Sequence, residues 1–222
     1  MKYRVLATDY DGTLATDGVV GDDIVATLRR ARERGLKGVL VTGRELPSLF
    51  NTFAHADVFE LVVAENGAVL YTPATKSVEV IAPPPPPALV RALEHAGVPV
   101  AVGHSIVATV LPHDQAMRAV LQSLDLDWHI VYNKRSAMAL PAGVTKATGL
   151  GAALEQLQVA AAECIAVGDA ENDLDFMQLC GLSVAVDNAL PDVKRIADVV
   201  LTSARGAGVI ELVTRLLAGD FA

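Results

Sequence analysis

The sequence predicts an α/β fold: a parallel sheet with covering helices, interrupted by a small inserted α+β module. Three observations predict it. Short apolar runs alternate with segments of helical spacing at both ends of the chain. That rhythm breaks at five consecutive prolines, Pro83 to Pro87, and resumes after residue 141. Several apolar runs end directly in polar residues, at Asp9, Thr42, Asp169 and Asp187.

The first element, "YRVLATD", is a short buried strand ending at Asp9. "DDIVATLRRARERGL" places Ile24, Val25, Leu28 and Ala31 on one helical face, with Gly35 suited to its C-terminal cap. "KGVLVTGR" is a second buried strand ending near Thr42, and "PSLFNTFAHA" a short helix with Pro47 in its first turn. "FELVVAENGAVLY" reads as strand, turn at Asn66-Gly67, strand. The prolines lack a backbone donor and fix φ, so they form a stiff connector; an SH3-type ligand is the alternative reading of such a run.

Residues 84–141 read helix-strand-strand twice. The segments are a helix over 88–97, strands "VPVAVG" and "IVATVLP" around Gly103-His104-Ser105, a helix "HDQAMRAVLQSLDL", and strands "DWHIVYN" and "SAMALP" around Lys134-Arg135. This is an open-faced α+β module inserted into the first domain. The core domain is then 1–83 together with 142–222. In the second part, "VTKATGLGAALEQLQV" is a helix, and "CIAVGDAENDLDFMQLC" and "LSVAVDNALPDVKRIA" are each strand, loop and helix. "DVVLTS" is a last strand and "GVIELVTRLLAG" a closing helix.

Composition narrows the function. The 222 residues are 52% hydrophobic, enough for one sizeable core or for a core domain plus a small second one. A net charge of −8 with no basic run argues against a general nucleic-acid binder, though not against an anionic small substrate. Cys164 and Cys180 lack metal-like spacing and read as two reduced thiols. The N-terminus is too short and too acidic for a secretory signal, and no apolar run approaches the roughly 20 residues of a membrane span. A soluble cytoplasmic protein is expected; the oligomeric state is not readable.

In a parallel sheet every strand C-terminus reaches the same edge, where ligands bind. Asp9, Asp11, Thr42, Asp169 and Asp173 therefore converge in the expected fold although they are distant in sequence. Each acidic segment has an ordinary reading by itself: Asp11 can cap a turn, and "GDAENDLDF" can be an acidic helix N-terminus. Both together, each directly after an apolar strand, make coincidence a poor account. Three carboxylates in one crevice require a hard cation. An oxygen-only donor set points to Mg²⁺ rather than zinc. Thr42 offers a hydroxyl, and Gly12 lets a phosphate approach the backbone closely. Lys146 opens a helix, where the dipole disfavours a cation; a site holding phosphate and carboxylates gives it a reason.

Taken in order, "DYDGT", "TGR", Lys146 and "GDAEND" resemble the four motifs of the haloacid dehalogenase superfamily. The inserted module between the second and third motifs resembles the α/β cap of the Cof-type branch, on a Rossmann-like core. "AENGAVLY" and "VDNALPDVKRIADVVLTS" are similar to that branch as well. The short cap is similar to that of small-capped phosphatases such as archaeal phosphoglycolate phosphatase and sucrose-phosphate phosphatase. The resemblance implies a Mg²⁺-dependent phosphoric monoester hydrolase acting on a small phosphorylated metabolite. It implies Asp9 as nucleophile and Asp11 as acid and base. Mg²⁺ is then held by Asp9, Asp169 and the Asp11 carbonyl, with Asp173 orienting that shell. Thr42, Gly43 and Lys146 then contact phosphate, with Asn172 assisting. Arg44 either adds charge at the site or faces the surface or cap.

Substrate contacts from the module are expected among His104, Ser105, Asn133, Lys134 and Arg135. The basic pair suits a substrate with a second anionic group. Rival readings are a phosphomutase of the same branch, a phospho-signalling receiver, and a non-catalytic binding protein on this fold. A receiver has no cap and places its accepting Asp beyond a later strand.

Overall fold

A computed structural model describes residues 2–221. The chain opens with β1 (Val5–Asp9), α1 (Asp22–Glu33), β2 (Lys37–Val41), α2 (Leu46–Thr52), β3 (Leu61–Ala64), β4 (Val69–Thr72) and β5 (Ser77–Val80). The insertion follows: α3 (Pro87–His95), β6 (Ala101–Val102), β7 (Val107–Val110), α4 (Asp114–Ser123), β8 (Trp128–Asn133) and β9 (Ser136–Pro141). The core resumes with α5 (Lys146–Leu157), β10 (Cys164–Gly168), α6 (Leu174–Leu179), β11 (Leu182–Ala185), α7 (Pro191–Ile196), β12 (Val199–Val200) and α8 (Arg205–Ala218).

The expected parallel sheet forms in the order β12-β11-β10-β1-β2-β3-β4-β5, with β4 and β5 antiparallel at one edge. β1, β2, β3 and β10 are buried almost throughout, as strands covered on both faces must be. The chain winds outward from β1 in one direction, then returns to β10 and winds the other way. The strand order therefore reverses beside β1, the place where such sheets bind ligands. α1 buries Ile24, Val25, Leu28 and Ala31, carries Asp22 and Asp23 in its first turn, and stops at Gly35, whose φ is +87°.

β5 has no counterpart in the sequence reading. All four of its residues are exposed, so no burial pattern marks it; it exists through its ladder with β4. The hairpin turn is tighter than its "ENG" suggests. Glu65, Asn66 and Gly67 all have positive φ, and a Cβ on Gly67 would collide with the Thr145 carbonyl at the start of α5.

The insertion is an antiparallel sheet, β6-β7-β9-β8, covered on one side by α3 and α4. Val107 and Ala139 pack against Leu89, Leu93, Met117 and Leu121 in its own small core. Ile106, Met138 and Leu140 point to the other face and join the main core. The face expected to be open is thus packed on the parallel-sheet domain, which explains why "SAMALP" is apolar without alternation. Cys164 and Cys180 are free thiols. Among the described residues, no helix is long and apolar enough to cross a membrane.

Candidate active site

Neighbouring strands deliver the acidic residues to one edge. β1 pairs with β10 and with β2, and Asp9 stands level with Val41. Asp169 follows the end of β10 and Thr42 the end of β2. Asp9, Asp169 and Asp173 each place a carboxylate oxygen within 4.8 Å of the others, and all three are buried.

One ammonium organises two of them. Lys146 is 1% exposed and donates to Asp9 Oδ1 and Asp173 Oδ1, both at 2.6 Å. A capping box in which Thr145 and Thr148 exchange side-chain to backbone bonds fixes the first turn of α5 and aims this lysine inward. Its position at a helix N-terminus, unfavourable by itself, is offset by the two carboxylates. The second oxygen of Asp173 accepts from the backbone N–H of Asp169 (2.8 Å) and Ala170 (2.9 Å). Both Asp173 oxygens are thereby engaged, so this residue chiefly shapes the loop and holds Lys146.

Asp169 Oδ1 accepts from the Thr13 hydroxyl at 3.2 Å, and Oδ2 accepts from Lys134 Nζ at 3.1 Å. Asp9 Oδ2 is buried and has no hydrogen-bond donor among the described residues. Burial, with the neighbouring Asp173 and Asp169 and against Lys146, pushes the Asp9 carboxyl up to about 8. Asp169 is also raised, by burial and then by Asp173, with Lys134 opposing. Burial works against the Lys146 charge, but Asp173 and Asp9 outweigh it and hold the ammonium above its usual value.

These features fit a divalent cation. The donors are hard oxygens, one of them is an orphan, and the carboxylates need positive charge to stay ionised together. The Asp11 backbone carbonyl adds a further oxygen on the same side, since Lys134 Nζ reaches it at 3.3 Å as well as Asp169.

Asp11 itself faces the cavity under the module. Arg44 Nε and Nη2 grip its two carboxylate oxygens, both at 2.7 Å, and the guanidinium lies 5.1 Å from the Tyr10 ring centroid. Tyr10 points away into the core, fully buried. Arg44 is thus partly buried against Asp11. Thr42 is buried, and its hydroxyl accepts from Arg44 N–H at 3.1 Å, leaving its own proton to donate. The Gly12 amide, on the stretch of backbone expected to be approached by phosphate, is engaged with the Ala15 carbonyl at 3.2 Å.

Two cavities flank the carboxylates. The larger, about 600 Å³, is lined by Asp11, Gly43 and Arg44 from the core and by Asn133, Lys134 and Arg135 from the module. The smaller, about 430 Å³, is lined by Asn66, Lys146, Asn172 and, from β8, His129. Asn172 donates to Asn66 at 3.0 Å, while its own oxygen and His129 Nε2 are buried without partners. His104 and Ser105, expected as substrate contacts, are not brought to either cavity. Their backbone N–H groups both bind the carboxylate of Glu65 at 2.9 Å, and His104 Nδ1 lies 3.1 Å from it. Glu65 is fully buried and requires those donors.

Sequence reasoning missed Glu65, His129 and Asn188. Asn188 donates to the Gly12 carbonyl at 2.8 Å and so ties the loop after β11 to the loop after β1. Its signal was present, as the residue after Asp187 at a strand end. Glu65 lies within "AENGAVLY", but nothing local marks its burial, and His129 carries no signal, because segments far away in sequence create their surroundings.

Comparison with known proteins agrees with this arrangement. A phosphoglycolate phosphatase from Methanothermobacter thermautotrophicus is 32% identical, over 96% of this chain and 99% of that protein. One from Aeropyrum pernix is 29% identical, over 97% and 94%. Among solved structures, Thermoplasma acidophilum 0175 superposes with a TM-score of 0.82 at 19% identity, covering 97% of this chain and 98% of the other. A haloacid dehalogenase-like hydrolase from Bacteroides thetaiotaomicron does so with 0.81 at 20% identity, covering 96% and 99%. The family profile described as haloacid dehalogenase-like hydrolase matches residues 6–95 and 113–213, which carry every residue of the carboxylate cluster and its lysine. The chain therefore belongs to the haloacid dehalogenase-like hydrolases.

Proposed function

We propose that the protein is a Mg²⁺-dependent phosphatase that hydrolyses a small phosphate monoester through an aspartyl-phosphate on Asp9. The observation that carries this reading is the orphaned Asp9 Oδ2, a buried carboxylate oxygen free of donors while Lys146 fixes its partner oxygen at 2.6 Å. One oxygen is oriented and the other is left to attack phosphorus. Asp9, Asp169 and the Asp11 carbonyl would hold the cation, with Asp173 positioning Asp169. Bound Mg²⁺ would offset the repulsion between carboxylate and phosphate dianion.

Thr42 donates its free hydroxyl proton to a phosphate oxygen, with the Gly43 amide beside it. Lys146 bridges that phosphate and Asp9, and Asn172 assists from the smaller cavity. Asp11 protonates the leaving alkoxide and then takes a proton from the attacking water. An anionic ester entering the larger cavity gives Arg44 a competing partner and so releases Asp11 for this work.

The module, bounded at 84 and 141, closes over the crevice and selects the substrate. Lys134 and Arg135, with Asn133, favour an ester whose leaving group carries its own negative charge. The phosphoglycolate phosphatases among the relatives support that class, which includes 2-phosphoglycolate and sugar acid phosphates. The test is a screen of phosphate monoesters, with and without Mg²⁺, read as released inorganic phosphate. Metal-dependent release that is fastest on carboxylate-bearing esters is expected. An isomerised phosphosugar without release would favour a mutase, and no turnover of any ester would end the reading. At saturating Mg²⁺, replacing both Lys134 and Arg135 with Ala should lower kcat/KM on the best acidic ester by about 100-fold, on the scale of two lost charge-assisted contacts.

A further inference from the structure

Lys134 stands at the turn between β8 and β9, with a left-handed φ of +53°. From the insertion it reaches across to the core domain, donating to Asp169 Oδ2 at 3.1 Å and to the Asp11 carbonyl at 3.3 Å. Its side chain is 51% exposed, so the ammonium approaches these oxygens from the solvent side. It is the only contact by which the tip of this hairpin holds the carboxylate cluster among the described residues' hydrogen bonds. The ammonium also lies in the space above Gly12, where an added Cβ would come within 2.5 Å of Nζ.

Those two oxygens are the outer pair of the donor set for the divalent cation, and this inference rests on that metal reading. A Mg²⁺ ion sits about 2.1 Å from its ligands and demands near-octahedral geometry. An ammonium hydrogen-bonded to the same oxygens from the same side overlaps that volume, and the two positive charges repel. We propose that Lys134 and the divalent cation are mutually exclusive at Asp169 and the Asp11 carbonyl, so that Lys134 is a tethered competitor of the metal. The exchange is not symmetric. Lys134 reaches only Asp169 and the Asp11 carbonyl, whereas a divalent ion would also draw on the carboxylate of Asp9, which stands in the same cluster as Asp169. The metal therefore wins at sufficient concentration and displaces the hairpin tip.

Displacement has a destination. Lys134 also lines the larger cavity beside Arg44 and Arg135. An ammonium released from Asp169 stays tethered at that wall, where an anionic leaving group can take it. Metal loading thus converts Lys134 from a partner of the protein into a partner of the substrate, and links occupancy of the cation site to readiness of the specificity wall.

The experiment measures cation affinity in the absence of substrate and turnover. Mn²⁺ is titrated into metal-stripped protein, and free Mn²⁺ is read by electron paramagnetic resonance, for wild type, Lys134→Met, Lys134→Gln and Asp169→Asn. Both Lys134 variants should bind about tenfold more tightly than wild type, a coupling of ordinary size, and Asp169→Asn more weakly. Hydrogen exchange at residues 131–137 should rise on metal addition in wild type and be metal-insensitive in Lys134→Met. Unchanged or weaker binding in both Lys134 variants, with Asp169→Asn still weakened, would overturn the competition and leave the metal reading intact. Unweakened binding in Asp169→Asn would remove the metal reading and the competition with it.

Discussion

Asp9→Asn is expected to release no inorganic phosphate from any ester, a loss on the order of 10⁴-fold or more in kcat. The amide is the same size and keeps the fold, but it removes the carboxylate oxygen proposed to attack phosphorus. The same substitution should make metal-stripped protein more resistant to heat. Asp9, Asp169 and Asp173 crowd their carboxylates within 4.8 Å, and among the described residues Lys146 is the only cation buried with them. Neutralising one removes repulsion that burial amplifies. A melting temperature in EDTA that is several degrees above wild type is expected, on the scale of ~1–2 kcal/mol for a chain of this length. Wild type should gain on adding Mg²⁺ and the variant much less. Phosphate release equal to wild type would show that the nucleophile lies elsewhere.

Lys146→Met is expected to be the most damaging single change to the fold. Lys146 bonds Asp9 and Asp173 at 2.6 Å each, and methionine fills the space without the charge. Removing one member of a buried ion cluster typically costs about 3–5 kcal/mol, because the remaining charges stay buried and uncompensated. That predicts a melting temperature lower by roughly 10 °C or more, measured by thermal unfolding in EDTA. Mg²⁺ should restore part of the loss. Activity should fall about 10²–10³-fold even where the protein is folded, since the donor proposed to hold the phosphate oxygens is gone. A variant as stable and active as wild type would contradict the arrangement described for α5.

The parallel sheet and its edge were readable because their determinants are local. An apolar run that ends in Asp or Thr declares both a buried strand and a polar residue at its tip. Asp9, Thr42 and Asp169 therefore fell together once the strand order was assumed, and Lys146 followed from its conflict with a helix N-terminus. The rest depends on how the insertion is seated. Whether Lys134 faces substrate or Asp169, and whether His104 faces a cavity or Glu65, is set by packing of Ile106, Met138 and Leu140 on the main core. No pattern within the hairpins themselves contains that orientation. β5 escaped because an exposed edge strand has no apolar alternation to show.

The buried carboxylate of Glu65 has a mechanical consequence. It pins residues 104 and 105, at the turn joining β6 to β7, to the parallel-sheet domain. The register Val107↔Ala139 and Asn133↔Ser136 puts that turn and the 134–135 tip at opposite ends of the inserted sheet. Any rocking of the insertion consequently has a fulcrum at 104–105 and its longest travel at 134–135. The side chains proposed to choose the substrate ride on the far end of a lever whose near end is bolted down.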